Sequence, residues 1–240
     1  MLRLKLASSA ALVLVCAVMT AGLAFAAVPF PAGGVAEFAG LAVYRAQDEA
    51  LAAQPADAAR VVFFGDSITE GWDRKHTGFF VGGRRVNRGI SGQTTAQMLL
   101  RFRQDVIDLT PRAVVILAGT NDIAGNAGPV DDKHIVDNLA SLADIAHANR
   151  IRVVMATLLP TDHYGWAPDM HPAERVRRIN VWIRKFAHDH GYGLIDYASR
   201  MDDGVGGLRR DLTEDGVHPN AAGYAVMEAV AAPVLKGLRP

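Results

Sequence analysis

The stretch "RVVFFGDSITEGW", Arg60 to Trp72, joins an apolar run to a short polar segment that can open a helix. Val61 to Gly65 is a continuous β-rich apolar run closed by glycine, the pattern of a strand buried on both faces. "SITE" fits a capping box in which the Ser67 and Glu70 side chains satisfy the first free amides of a helix. Two roles are therefore open to Ser67, a helix cap and a nucleophile. The choice depends on whether the rest of the chain brings a base, an orienting acid and oxyanion donors to the same end of one sheet.

Working outward, further β-rich runs recur at Val86–Arg88, Ala113–Ala118, Arg152–Ala156 and Gly193–Asp196, with amphipathic segments between most of them. This alternation predicts a three-layer α/β/α sandwich around a five-stranded parallel sheet. From Thr94 to Leu109, Met98, Leu99, Phe102, Val106 and Leu109 recur at helical spacing. A second helix runs from about Asp132 to Ala148, burying Ile135, Leu139, Leu142 and Ile145, with Asp131 and Asp132 at its start as cap and dipole partner. A third begins near Pro172, buries Val176, Ile179, Ile183 and Phe186, and stops at Gly191. A last one starts at Pro219 and carries Tyr224, Met227, Val230 and Val234. In such sheets chemistry sits beyond the carboxyl ends of the strands. The segments there are "GDSITEGW", "GISGQTT", "GTNDIAGN", "TLLPTDHYGWAPDMH" and, before the final helix, "DGVHPNAAGY".

Arg3 and Lys5 precede an uncharged run from Leu6 to Ala27 with small residues at Ala24 and Ala26, so residues 1–26 read as a signal peptide and 27–240 as one catalytic domain. The competing reading is an uncleaved anchor, because the run is just long enough to span a bilayer. Export to the periplasm or the medium is the expectation, with no stable membrane association after cleavage. Cleavage leaves 23 basic against 25 acidic residues, which supplies no electrostatic reason to bind nucleic acid. The single cysteine, Cys16, falls in the segment removed, so the mature chain has neither disulfide nor thiol nucleophile.

A serine hydroxyl becomes a nucleophile only when a base takes its proton and donors hold the oxyanion that forms. His218 is the candidate base. Asp215 lies three residues before it, with Gly216 allowing the turn that brings a carboxylate to the ring. Pro219 keeps His218 out of the following helix. Oxyanion donors can come from the Ser67 amide, from Gly92, whose missing side chain permits close approach, and from the Asn121 side chain. The G-x-S-x-G elbow of α/β-hydrolases is absent, because Ser67 is flanked by Gly65 and Thr69, not by two glycines.

"FFGDSITEGW", "NRGISGQTT", "ILAGTNDI" and "DGVHPN" resemble, in order and approximate spacing, the four signature blocks of the GDSL or SGNH hydrolase superfamily, and especially its secreted bacterial esterases. The resemblance covers about residues 60 to 235. It implies a flavodoxin-like fold and lipase-like ester hydrolysis with neither metal nor cofactor. At the matching positions it implies Ser67 as nucleophile, Gly92 and Asn121 as oxyanion donors with the Ser67 amide, Asp215 as orienting acid and His218 as base. Ile68 stands where the name motif has leucine.

Between Pro160 and Pro172 a long segment carries Asp162, His163, Tyr164, Trp166 and Asp169. It reads either as a lid packed on the core or as a pocket wall. His163, Tyr164 and Trp166 are candidate substrate residues, with Trp72 and Asn126 as weaker ones. His188, Asp189 and His190 fit a solvated helix end, and no H-E-x-x-H or cysteine pair suggests zinc. Asp66 is a candidate to hold its turn by hydrogen bonding. The expected reaction is hydrolysis of short acyl esters, acetyl foremost, on small molecules or carbohydrates. Lysophospholipid or thioester hydrolysis and acyl transfer remain alternatives on the same site, and a non-catalytic binding module conflicts with the complete residue set.

Overall fold

The computed structural model describes residues 32–54, 57, 59–76 and 78–238. The predicted signal segment, residues 1–26, lies outside the described residues. Five parallel strands, β1 (Val61–Gly65), β2 (Arg85–Gly89), β3 (Ala113–Leu117), β4 (Arg152–Ala156) and β5 (Gly193–Ile195), form one sheet in the order β2-β1-β3-β4-β5. Every residue of β1 and β3 is buried, as continuous apolar runs at the centre of a parallel sheet require. Strand order reverses between β1 and β3, the place where open α/β sheets leave a crevice beyond their carboxyl ends.

The helices in chain order are α1 (Gly34–Ala39), α2 (Arg45–Ala52), α3 (Ser67–Glu70), α4 (Trp72–Lys75), α5 (Thr95–Phe102), α6 (Thr120–Ile123), α7 (Asp132–Ala148), α8 (Ala173–His190), α9 (Ala198–Met201) and α10 (Ala221–Gly237). Right-handed crossovers put the connections that run from β2 through β5 on one face of the sheet. Accordingly α5 packs on α7 and α7 on α8, while α10 packs with α4 and α9.

Several helix ends follow their sequence signals. Asp131 caps α7 by accepting from the His134 amide at 2.8 Å, and α8 stops at Gly191 in the left-handed conformation. Other boundaries moved. The span from Thr94 to Leu109 is not one α-helix: after Phe102 it widens into a π-helical turn, Arg103–Ile107, which still buries Val106 and Ile107. α10 begins at Ala221 rather than Pro219, because Asn220 takes the cap position and accepts from the Gly223 amide at 3.0 Å.

The segment holding α1 and α2 had no sequence expectation attached. Three glutamine amides dock it, Gln93 to the Ala39 carbonyl, Gln97 to that of Phe38 and Gln104 to that of Leu41, each at 2.9 Å. Arg88 on β2 pairs with Asp48 on α2 at 2.5 Å, and the Tyr44 hydroxyl donates to the Gly89 carbonyl. No helix among the described residues is long and apolar enough to cross a membrane.

Candidate active site

β1 delivers Asp66 and Ser67 to the sheet rim. The capping box expected of Ser67 and Glu70 does not form. Asp66 is the cap, its Oδ1 accepting from the Ile68 amide at 3.0 Å, and Glu70 instead accepts from the Ser91 amide at 2.6 Å and from Arg74 at 3.0 Å. Burial pushes the Asp66 carboxyl up to about 6, against the opposing pull of the Ile68 amide. Ser67 is therefore the first helical residue. Its amide has no carbonyl one turn behind it, and its hydroxyl is free for another partner. That partner is His218 Nε2, 2.9 Å from Ser67 Oγ.

His218 is held from its other nitrogen. Nδ1 lies 2.7 Å from Asp215 Oδ2, while Asp215 Oδ1 accepts from the His218 amide at 2.7 Å and the Val217 amide at 3.0 Å. A carboxylate facing Nδ1 keeps the proton there and leaves Nε2 as the acceptor for the serine hydroxyl. Partial burial works to raise the Asp215 carboxyl, but the bonds from the His218 ring and from both amides outweigh it and hold the group at about 2. Thr213 closes the loop, its hydroxyl donating to the His218 carbonyl at 2.7 Å and accepting from the Gly216 amide at 3.0 Å. From α10, the Tyr224 hydroxyl donates to the Ile68 carbonyl at 2.8 Å and ties α10 to α3.

Gly65 pairs in register with both Gly89 and Leu117, so β1, β2 and β3 end level and their turns share one rim. Gly89 has to be glycine, because a Cβ there would lie 2.1 Å from the Glu70 nitrogen. Gly92 adopts φ +78°, which favours glycine for the turn that follows β2. Asn121, in α6, is held at both ends of its amide: Nδ2 donates to the Gln93 carbonyl at 3.0 Å, and Oδ1 accepts from Asn126 Nδ2 at 2.8 Å. One Nδ2 hydrogen remains. Next to it, burial raises the Asp122 carboxyl although the Thr95 amide and hydroxyl, at 2.9 and 2.6 Å, work the other way.

Beneath this rim lies a residue that sequence reasoning missed. Arg101 is wholly buried and donates to Gln93 Oε1 at 2.5 Å, to the Gly65 carbonyl at 2.9 Å, to the Arg88 carbonyl at 3.0 Å and to Asp105 at 2.7 Å. One guanidinium thus braces the end of β1, the end of β2 and the turn at Gln93 together. The available signal was its helical register with Met98 and Phe102 and an aspartate four residues on.

The substrate candidates divide. Trp166 is 47 % exposed, with its ring centroid 6.0 Å from that of His218 and its Nε1 donating to Asn126 Oδ1 at 3.2 Å. Both belong to the rim. Tyr164 does not line it: its ring is 1 % exposed and its hydroxyl lies 2.9 Å from Thr120 Oγ1, so it supports Trp166 from below, at 4.9 Å between centroids. Trp72 is a second correction. It is buried in the core, stacked on Phe79 at 4.5 Å and edge-on to Phe63 at 5.8 Å, because the apolar cluster under α4 claims its ring. His163 pairs with Asp162 at 2.7 Å and stands against Gly216, so it backs the Asp215–His218 loop.

Residues 63–226 match the GDSL-like Lipase/Acylhydrolase family. The crystal structure of a GDSL-like lipase from Bacteroides thetaiotaomicron superimposes with a TM-score of 0.81 at 39 % sequence identity, covering 84 % of this chain and 100 % of that one. Among curated proteins, Esterase TesA of Pseudomonas aeruginosa is 28 % identical over 155 residues, 65 % of this chain and 71 % of its own. The acetylxylan esterase of Geobacillus stearothermophilus is 26 % identical over 153 residues, 61 % of this chain and 69 % of its own.

Proposed function

This chain belongs to the GDSL-like lipase/acylhydrolase family and is a carboxylic ester hydrolase, and from that premise we propose that it cleaves short acyl esters, acetyl foremost, through an acyl-enzyme on Ser67. The observation that carries the reading is the relay from Ser67 Oγ to His218 Nε2 at 2.9 Å and from His218 Nδ1 to Asp215 at 2.7 Å.

In the first half-reaction Ser67 Oγ attacks the ester carbonyl as its proton passes to His218 Nε2. Asp215, ionised at any working pH, stabilises the imidazolium that results. The carbonyl oxygen becomes an oxyanion accepting from the Ser67 amide, the Gly92 amide and the spare Nδ2 hydrogen of Asn121. Collapse expels the alkoxide, which takes the proton from Nε2 and leaves as alcohol. Water then repeats the sequence: Nε2 takes its proton, the hydroxide attacks the acyl carbon, and Ser67 Oγ is released and reprotonated.

For the leaving group, the exposed face of Trp166 beside His218 suits a sugar ring or a small alcohol, and the matched acetylxylan esterase points the same way. On this reading the substrate is an acetylated carbohydrate or small ester met outside the cytoplasm, with residues 1–26 removed on export.

Ser67→Ala tests the core of the proposal. Ester turnover should fall on the order of 10⁴-fold or more. The melting temperature should stay near that of the parent, since Asp66 and not Ser67 caps α3. Retained turnover would sink the proposal. A p-nitrophenyl ester chain-length series, run beside acetate release from acetylated sugars, tests the substrate class. A preference for long acyl chains or thioesters would overturn the acetyl assignment alone.

A further inference from the structure

The two oxyanion donors beyond Ser67 come from different turns, Gly92 after β2 and Asn121 after β3, and one side chain holds both. Asn126 Nδ2 donates to Asn121 Oδ1 at 2.8 Å and to the Gly92 carbonyl at 3.2 Å. We propose that Asn126 is the positioning residue that sets Gly92 and Asn121 in a common oxyanion-binding geometry, a role distinct from the substrate contact its exposure suggests. The inference rests on the reading of Ser67, Gly92 and Asn121 given above.

Each hydrogen of the Asn126 amide has one acceptor, so the NH₂ group bridges the two turns and has nothing left to offer a ligand. The bond to Oδ1 settles which end of the Asn121 amide is nitrogen and turns that nitrogen away from Asn126. It also polarises the Asn121 amide, making its remaining N–H a stronger donor. At Gly92 the bond fixes the carbonyl of a residue at φ +78°, where glycine has the freedom to turn. Asn126 is itself anchored twice: its backbone amide donates to the Asn121 carbonyl at 3.0 Å, and its Oδ1 accepts from Trp166 Nε1 at 3.2 Å. A bracket of this kind matters most when charge develops on the substrate oxygen, because preorganised donors stabilise that charge without having to reorient.

The test uses Asn126→Ala and Asn126→Asp in the full chain. Asn126→Asp keeps the size and the acceptor for Trp166 but removes both donors. Steady-state kinetics on p-nitrophenyl acetate and butyrate would be measured with the affinity for a methyl trifluoromethyl ketone, which forms a tetrahedral adduct with a serine. Asn126→Ala should lower kcat by about 10- to 100-fold on both esters, with KM little changed and ketone affinity reduced by a similar factor. Asn126→Asp should fall at least as far. A rise in KM with kcat intact, or parental kcat in the aspartate variant, would overturn the proposal and return Asn126 to the substrate wall. A ketone affinity unchanged beside a lowered kcat would overturn it too. Active Ser67→Ala would mean that the triad reading has failed. Inactive Ser67→Ala beside fully active Asn126→Ala would mean that only this inference has.

Discussion

On the mechanism proposed above, the serine and oxyanion side of the site and the acid–base loop, Asp215–His218, are built in opposite ways. Gly92 stands on a turn braced from below by a fully buried arginine, and Asn126 ties it to Asn121. The acid–base loop is open to solvent: the Asp215 and His218 side chains are 52 % and 36 % exposed, and the bonds that shape the loop come from residues 213 to 218. The difference follows from what each side has to do. Donors to an oxyanion work best when they cannot reorient, whereas a ring that gains and loses a proton each half-cycle is served by water close at hand. Turnover and stability should accordingly respond to different substitutions.

The most damaging way to break that contrast is at Asp215. Asp215→Asn keeps an acceptor for the loop amides but lets the imidazole take the wrong tautomer, and kcat should fall by about 10⁴-fold, far more than the accompanying loss of the stability that the ionised carboxylate contributes. A variant that stayed within tenfold of the parent would mean that the loop acid is dispensable. Arg101→Leu probes the other side. It strands Asp105 in the core and should cost about 3–5 kcal/mol in denaturant unfolding. An unchanged midpoint would show that the brace does not hold the rim.

Acid titration sharpens the comparison further. Asp215 is held near 2 against an ordinary 3.8, so its stabilising contribution is complete above about pH 4 and lost as pH falls towards 2. The difference in stability between the parent and Asp215→Asn should therefore be constant above pH 4 and vanish below it. A stability difference that stayed constant down to pH 2 would contradict the coupling of Asp215 to its loop. The smallest effect belongs to Thr213→Val, which removes a hydroxyl bonded to the His218 carbonyl and should cost roughly 0.5–1.5 kcal/mol, with a modest drop in kcat.

How far the sequence could be read depended on what kind of signal each residue left. β1 and β3 were legible because a strand buried on both faces is written as an unbroken apolar run. Ser67, Asn121, Asp215 and His218 were legible because their turns follow strands or precede a helix at marked glycines and a proline. The capping box misled, since "SITE" has the right residues but Asp66, one position earlier, reaches the Ile68 amide first. Trp72 and Tyr164 misled for a common reason: an aromatic in a polar stretch shows its chemistry but not which way it faces, and both turned inward. Arg101 escaped because a charged residue in a helix ordinarily points to water, and apart from Asp105 nothing local announces the Gly65, Arg88 and Gln93 oxygens waiting for it inside. Likewise α1 and α2 are short and expose most of their residues, and their docking is written in Gln93, Gln97 and Gln104, far along the chain.

The hydrogen bond between Ser67 and His218 spans 151 positions, and the one from Tyr224 to Ile68 spans 156. On the mechanism proposed above, nucleophile and base therefore meet only where α10 is seated beside α3, and a molecule with that segment out of place lacks its base however native its sheet. Ester turnover would then report the seating of α10 as much as the chemistry of Ser67.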